Sequence, residues 1–182
     1  MSSDEQRFDA DKFLTERGWM RDIAGDADYD LACRIVRAVR NSDKGLILSG
    51  PCGVGKTSFV KAAFRFARCF TMPVSEWVLG KSQDAYDVTD ESVILDDIGS
   101  EHEVYQDCIK VQPFADFVMR RYVDYTRILK QGFKPPRLII TTNLGIKDFD
   151  ARYGTRIVSR LKEMCFAAKF SGCDKRKWES IS

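Results

Sequence analysis

The sequence predicts an α/β chain, a three-layer sandwich in which helices cover both faces of a parallel sheet of five strands. Three observations predict it. Short β-branched apolar runs at 45–49, 92–95 and 137–142 alternate with amphipathic stretches of helical period. Each run is apolar on both of its alternating sides, as a strand covered on both faces must be. The first run ends in the glycine-rich stretch Gly50-Pro51-Cys52-Gly53-Val54-Gly55-Lys56-Thr57, followed by another helical pattern.

Taken in order, residues 1–28 read as an acidic arm. In it Phe8, Phe13, Leu14, Trp19 and Ile23 predict a short helix or a segment laid on the domain. Over 29–40, Leu31, Ile35 and Val39 with Ala32 and Val36 form one apolar face, with Arg34, Arg37 and Arg40 turned away, which predicts a packed helix. Residues 45–49 are the first buried strand. A helix follows over 56–70 on the spacing of Val60, Ala63, Phe64 and Ala67, then a strand within 70–78. The strand at 92–95 runs into Asp96, Asp97, Ile98 and Gly99, and an acidic loop with the only histidine, His102, comes next; we assign that histidine no catalysis. Pro113–Lys130 reads as a helix with Phe114, Phe117, Val118, Tyr122, Tyr125 and Leu129 on one face, ended by Gly132 and the Pro135-Pro136 pair. The strand at 137–142 leads to Asn143, and helices at 146–152 and 155–165 precede a last strand at 166–170. The domain core is thus predicted over 29–176, with a tail at 177–182.

A chain of 182 residues holds one substantial core. It contains no apolar run of signal-peptide or membrane-span length, so the expectation is a cytoplasmic protein without a membrane contact. The six cysteines, Cys33, Cys52, Cys69, Cys108, Cys165 and Cys173, show no CxxC spacing and read as reduced thiols, mostly core filler. The net charge of +2 conceals a split. Residues 1–118 carry 14 Lys/Arg against 21 Asp/Glu, and residues 119–182 carry 15 against 6. Such separation suits a nucleic-acid face, head-to-tail contact between copies, or simply solvated surfaces.

The chemistry gathers at three strand ends. Gly50 and Gly55 bracket four residues and are followed by Lys56, Thr57 and Ser58, the spacing of a loop whose amides cradle phosphates. Lys56 reaches the terminal phosphates in such a loop, and Thr57 holds magnesium. Asp96 suits the same metal and Asp97 an attacking water, although a pair of carboxylates after a strand also serves as a turn or helix cap. Thr142 and Asn143 end the third strand, where polar tips can sense a terminal phosphate; alone, Asn143 is equally a turn residue. Arg152, Arg156 and Arg160 recur every four residues and therefore share one face, as a functional cluster or a solvated stripe.

Read together, GPCGVGKT, VILDDIG, LIITTNL and RYGTRIVSRLKEM resemble the AAA+ ATPases, and within them the DnaC-type helicase loaders and the related IstB transposition helpers. The resemblance covers 29–176 and implies a P-loop NTPase fold, an AAA+ core without a helical lid. It implies that Gly50, Pro51, Cys52, Gly53, Val54, Gly55, Lys56, Thr57 and Ser58 bind ATP, that Thr57 and Asp96 hold Mg2+, and that Asp97 and Asn143 act in hydrolysis. Arg160 matches the finger that reaches a neighbour's ATP, Arg156 its companion, and Arg176 a terminal arginine that such proteins often carry. A slow ATPase stimulated by assembly is implied, an ATP-dependent homo-oligomer acting on a replicative helicase or another DNA-bound assembly, with single-stranded DNA an open partner. A transposition helper, a P-loop small-molecule kinase and a nucleotide-dependent scaffold are the other readings.

Overall fold

The computed structural model describes residues 8–65, 67–70, 91–100, 104–106, 109–111 and 113–174. The expectations for residues 71–78, His102 and Arg176 lie outside the described residues. In chain order the helices are α1 (Ala10–Thr15), α2 (Arg21–Ala24), α3 (Asp26–Arg40), α4 (Lys56–Ala63), α5 (Pro113–Lys130), α6 (Ile146–Tyr153) and α7 (Thr155–Met164). The strands are β1 (Gly45–Ser49), β2 (Arg68–Phe70), β3 (Val93–Ile98), β4 (Val104–Gln106), β5 (Ile109–Val111), β6 (Leu138–Thr142) and β7 (Cys165–Lys169).

Five strands form one parallel sheet in the order β2-β3-β6-β1-β7. The alternation of side chains along each strand divides the interior into two cores. Leu46 and Leu48 of β1, Ile94 of β3 and Ile139 of β6 face one core, with the apolar sides of α3 and α4. Ile47, Val93, Leu95, Leu138 and Ile140 face the other, with α5, α6 and α7. The molecule is therefore the α/β three-layer sandwich that the sequence predicts. β4 and β5 form a separate antiparallel pair where a loop is expected from the sequence.

The N-terminal arm is part of the first core. Asp9 caps α1 by accepting the amides of Asp11 and Lys12, and Ala10, Leu14, Trp19 and Ala24 are buried. Trp19 packs against Phe59 of α4 and stacks on Phe170 after β7, with ring centroids 5.5 and 6.3 Å away. Each such aromatic contact contributes about 0.5–1.5 kcal/mol beyond its buried area. The third helix also begins earlier than the sequence periodicity predicts, at Asp26 rather than residue 29.

The helix after the glycine loop is shorter than its spacing predicts. It ends at Ala63, because Phe64 leaves the helical region at φ −118°, ψ 41° and turns its ring edge-on to Phe59. That frees Arg68–Phe70 to pair with Val93–Leu95. The end of α5 follows the sequence signal: Gly132 adopts φ 78°, and the amides of Gly132 and Phe133 donate back to Leu129 O and Ile128 O. Gly154, at φ 86°, separates α6 from α7. Arg152 consequently sits on α6, and only Arg156 and Arg160 share α7, so the continuous three-arginine stripe does not form.

Candidate functional site

The carboxyl ends of β1, β3 and β6 lie side by side, because β6 pairs with both of the others. In an open parallel sheet the helices that follow the strands leave a crevice at these ends. The loop 50–55 crosses it from β1 to α4. Its glycines are there for space as well as for φ: a Cβ on Gly50 would come within 2.5 Å of Phe170 O, and one on Gly55, at φ 95°, within 2.9 Å of the Trp19 ring. The first turn of α4 receives no side-chain cap and no acidic residue, which leaves its positive end open to an anion.

Lys56, at the start of α4, is buried. Its ammonium donates to Gly50 O, Pro51 O and Asn143 Oδ1, each at 2.7 Å. Burying a charge this deeply is costly unless donors and acceptors are matched, and here loop carbonyls and one amide match it. Asn143 in turn donates from Nδ2 to Asp97 Oδ1 at 2.7 Å. One side-chain amide thus ties the lysine of the first strand end to the carboxylate of the second. One residue further along α4, Thr57 Oγ1 donates to Asp96 Oδ1 at 2.8 Å.

The two aspartates stand where they do because of a bulge. Leu95 pairs with Ile140 and Ile98 with Thr142, so Asp96 and Asp97 together oppose the single residue Thr141. Asp97 takes φ 57°, the only non-glycine residue at positive φ among those described. That conformation is uncommon outside Gly, Asn and Asp. Thr141 holds the bulge from below: its hydroxyl donates to Asp96 Oδ1 at 2.5 Å and accepts the Asp97 amide at 2.8 Å. Thr142, expected to face the phosphates, instead donates to Ile98 O across the sheet and accepts the Leu144 amide. The alternation along β6 places Thr141 and Asn143 on one side and Thr142 on the other, a signal that the sequence carried at residues i and i+2.

Thr57, Asp96, Asp97, Asn143 and Lys56 are therefore brought together, with the loop residues around them. The pairing of a threonine hydroxyl and one carboxylate is the donor set that magnesium takes when phosphates supply further oxygens. Among the described residues no cluster of three or more His, Cys, Asp or Glu offers a metal a protein-only cage. Asp174 is a neighbour not foreseen: a Cβ on Gly53 would lie 2.1 Å from its carboxylate carbon. Cys52 and Cys173 are exposed, whereas Cys33 and Cys165 are buried, and burial pushes the Cys165 thiol up to about 12.

Arg156 and Arg160 belong to another face. Arg156 is exposed. The Arg160 guanidinium lies 4.3 Å above the Tyr122 ring and donates from Nη1 to the Tyr122 hydroxyl at 3.1 Å and Glu163 Oε1 at 2.9 Å. The Tyr122 hydroxyl donated to Glu163, seconded by Arg160, holds the Glu163 carboxyl below its usual range. A cavity of about 560 Å³ opens on the α6 and α7 side of the sheet, where Ile47, Phe149, Val158, Leu161 and Ala167 line it. Neither the loop 50–57 nor Asp96 and Asp97 contribute to its wall. Among the described residues no helix is long and apolar enough to cross a membrane.

No protein-family model and no curated protein matches the sequence. Solved structures do match. PCH-2 from C. elegans is 15% identical with a TM-score of 0.50, over 80% of this chain and 43% of that one. DnaA from Aquifex aeolicus bound to AMPPCP is 15% identical with a TM-score of 0.44, over 81% of this chain and 46% of that one. The replication initiator DnaA bound to AMPPCP and single-stranded DNA is 14% identical, with the same TM-score of 0.44 and the same coverage. These neighbours are AAA+ ATPases, and the chain spans less than half the length of each. At such identity the likeness to PCH-2 is one of fold, and it agrees with a P-loop NTPase sandwich.

Proposed function

We propose that the chain binds ATP with Mg2+ on the loop 50–57 and hydrolyses it as an assembling AAA+ switch, of the kind that loads a replicative helicase or acts on another DNA-bound assembly. The observation that carries this reading is the pair of contacts spanning three strand ends: Lys56 to Asn143 to Asp97, and Thr57 to Asp96 to Thr141. Loop amides, the α4 terminus and Lys56 bind and orient the phosphates. Thr57 and Asp96 are the residues to hold magnesium, which when bound neutralises charge on the phosphate oxygens. Asp97, held forward by its left-handed backbone, accepts a proton from the attacking water while Asn143 fixes the carboxylate's orientation. Arg156 and Arg160 act on the phosphates of a neighbouring copy, since their helix packs on the other face of the sheet from α4.

A small-molecule kinase needs an acceptor seat beside the phosphates. The 560 Å³ cavity reaches the strand ends through Ser49, Thr142 and Leu144 but has neither the loop 50–57 nor the aspartates in its wall, which favours hydrolysis over transfer to an acceptor seated there. The test is ATP binding followed by phosphate release, with and without single-stranded DNA and with a panel of nucleosides as acceptors. Lys56→Ala is expected to lose tight ATP binding, because the cation over the terminal phosphates is removed. Binding within a few-fold of wild type, or phosphate passed to a nucleoside, overturns the reading.

A further inference from the structure

We infer that Cys52 and Cys173 form a thiol pair that a mild oxidant closes into a disulfide, strapping the segment 170–174 across the phosphate loop. β1 and β7 run parallel with Ser49 opposite Lys169, and this side-by-side course continues past the end of the sheet. The Phe170 amide donates to Ser49 O at 2.9 Å, the Gly50 α-carbon faces Phe170 O, and Gly53 meets Asp174. The two chains run side by side at 49–50 and 169–170, and they approach again where Gly53, in the turn of the loop, faces the Asp174 carboxylate. Cys52 and Cys173 are the residues immediately preceding the touching pair Gly53 and Asp174. A disulfide needs α-carbons about 4.4–6.8 Å apart, and each cysteine is one residue from the Gly53–Asp174 contact.

Two further features favour the bond. Asp28, itself buried, accepts the Ser171 amide on Oδ1 and the Gly172 amide on Oδ2, both at 3.0 Å, so the segment is pinned just before Cys173. Both thiols are exposed and unpaired, where an oxidant reaches them. With hydrogen peroxide as oxidant, one thiolate attacks a peroxide oxygen, the O–O bond breaks and a sulfenic acid forms. The second thiolate displaces water from that sulfur, so two thiols and one peroxide yield one disulfide and two waters. The loss of nucleotide binding that should follow rests on the ATP reading above; the bond itself does not.

The full chain is treated with hydrogen peroxide, digested without reduction and mapped by mass spectrometry, and ATP binding is measured before and after. The expected result is a single intramolecular Cys52–Cys173 link, at least a tenfold loss of ATP affinity, and recovery with dithiothreitol. Cys173→Ser should bind ATP like reduced wild type and remain insensitive to peroxide. A map that links other cysteines, or leaves Cys52 and Cys173 as unpaired oxidised acids, overturns the proposal, as does equal sensitivity of Cys173→Ser. Reduced wild type that does not bind ATP defeats the ATP reading, and the map still decides the thiol pair.

Discussion

At the scale of residues the site depends on oxygen atoms only a bond length from being wrong. Asp96 and Asp97 are adjacent, yet the bulge sends one toward Thr57 and the other toward Asn143. Different effects follow from the same substitution. Asp96→Asn should weaken Mg2+-dependent ATP binding, because an amide is a poorer ligand for a hard cation. Asp97→Asn should keep binding and slow turnover by about 10²- to 10⁴-fold, the usual worth of a positioned base. Titration of ATP with magnesium, beside single-turnover hydrolysis, separates the two, and unchanged values in both variants would move the chemistry elsewhere. The glycine loop was legible in the sequence because its spacing encodes it, and the two aspartates because they end a buried apolar run. The bulge and the left-handed Asp97 were not, since register belongs to the partner strand; Thr141 was hidden for the same reason.

At the scale of elements, legibility followed the strength of local signals. The bounds of α5 and β1 could be read directly, the helix from a proline at its start and a glycine after its end. The α4 prediction overshot because Phe64 and Ala67 continue a helical spacing although tertiary packing turns the chain away. The break at Gly154 gives α7 its own axis, with Arg160 held by Tyr122 and Glu163 on that helix and α5. If Arg160 is the trans finger proposed above, it must leave the Glu163 pair to meet a partner's phosphates, and a finger of that kind is worth about 10³- to 10⁵-fold in rate. Arg160→Ala should therefore bind ATP and hydrolyse it very slowly, and wild-type specific activity should rise with protein concentration. Mixing Lys56→Ala with Arg160→Ala pairs a live finger with a live pocket and should restore turnover. An inert mixture, beside a wild type whose activity ignores concentration, would remove Arg160 from that role.

At the scale of the whole molecule the charge is divided along the chain. The basic residues after 118 outnumber the acidic ones by 15 to 6. If this third of the chain meets nucleic acid, retention of single-stranded DNA should be strong at low salt and fall steeply as salt rises, because counterions are released on binding. Absence of retention even at low salt, with and without ATP, would assign any DNA contact to a partner protein. The sandwich itself was foreseen from alternation alone. The packing of the N-terminal arm against the glycine-rich loop was not, because nothing local ties Trp19 to Gly55 and Phe170.

The strand order has a consequence for how the chain acquires its site. β1, which feeds the glycine-rich loop, has β6 and β7 as its neighbours, and the Ser49 hydroxyl bonds a residue 119 positions away. Both neighbours therefore leave the ribosome well after β1 does. Closing such long loops costs entropy before any contact repays it. A nascent chain that ends before residue 138 has the glycine-rich loop and no strand beside β1 to hold it, so the loop takes its place only once β6 has been made.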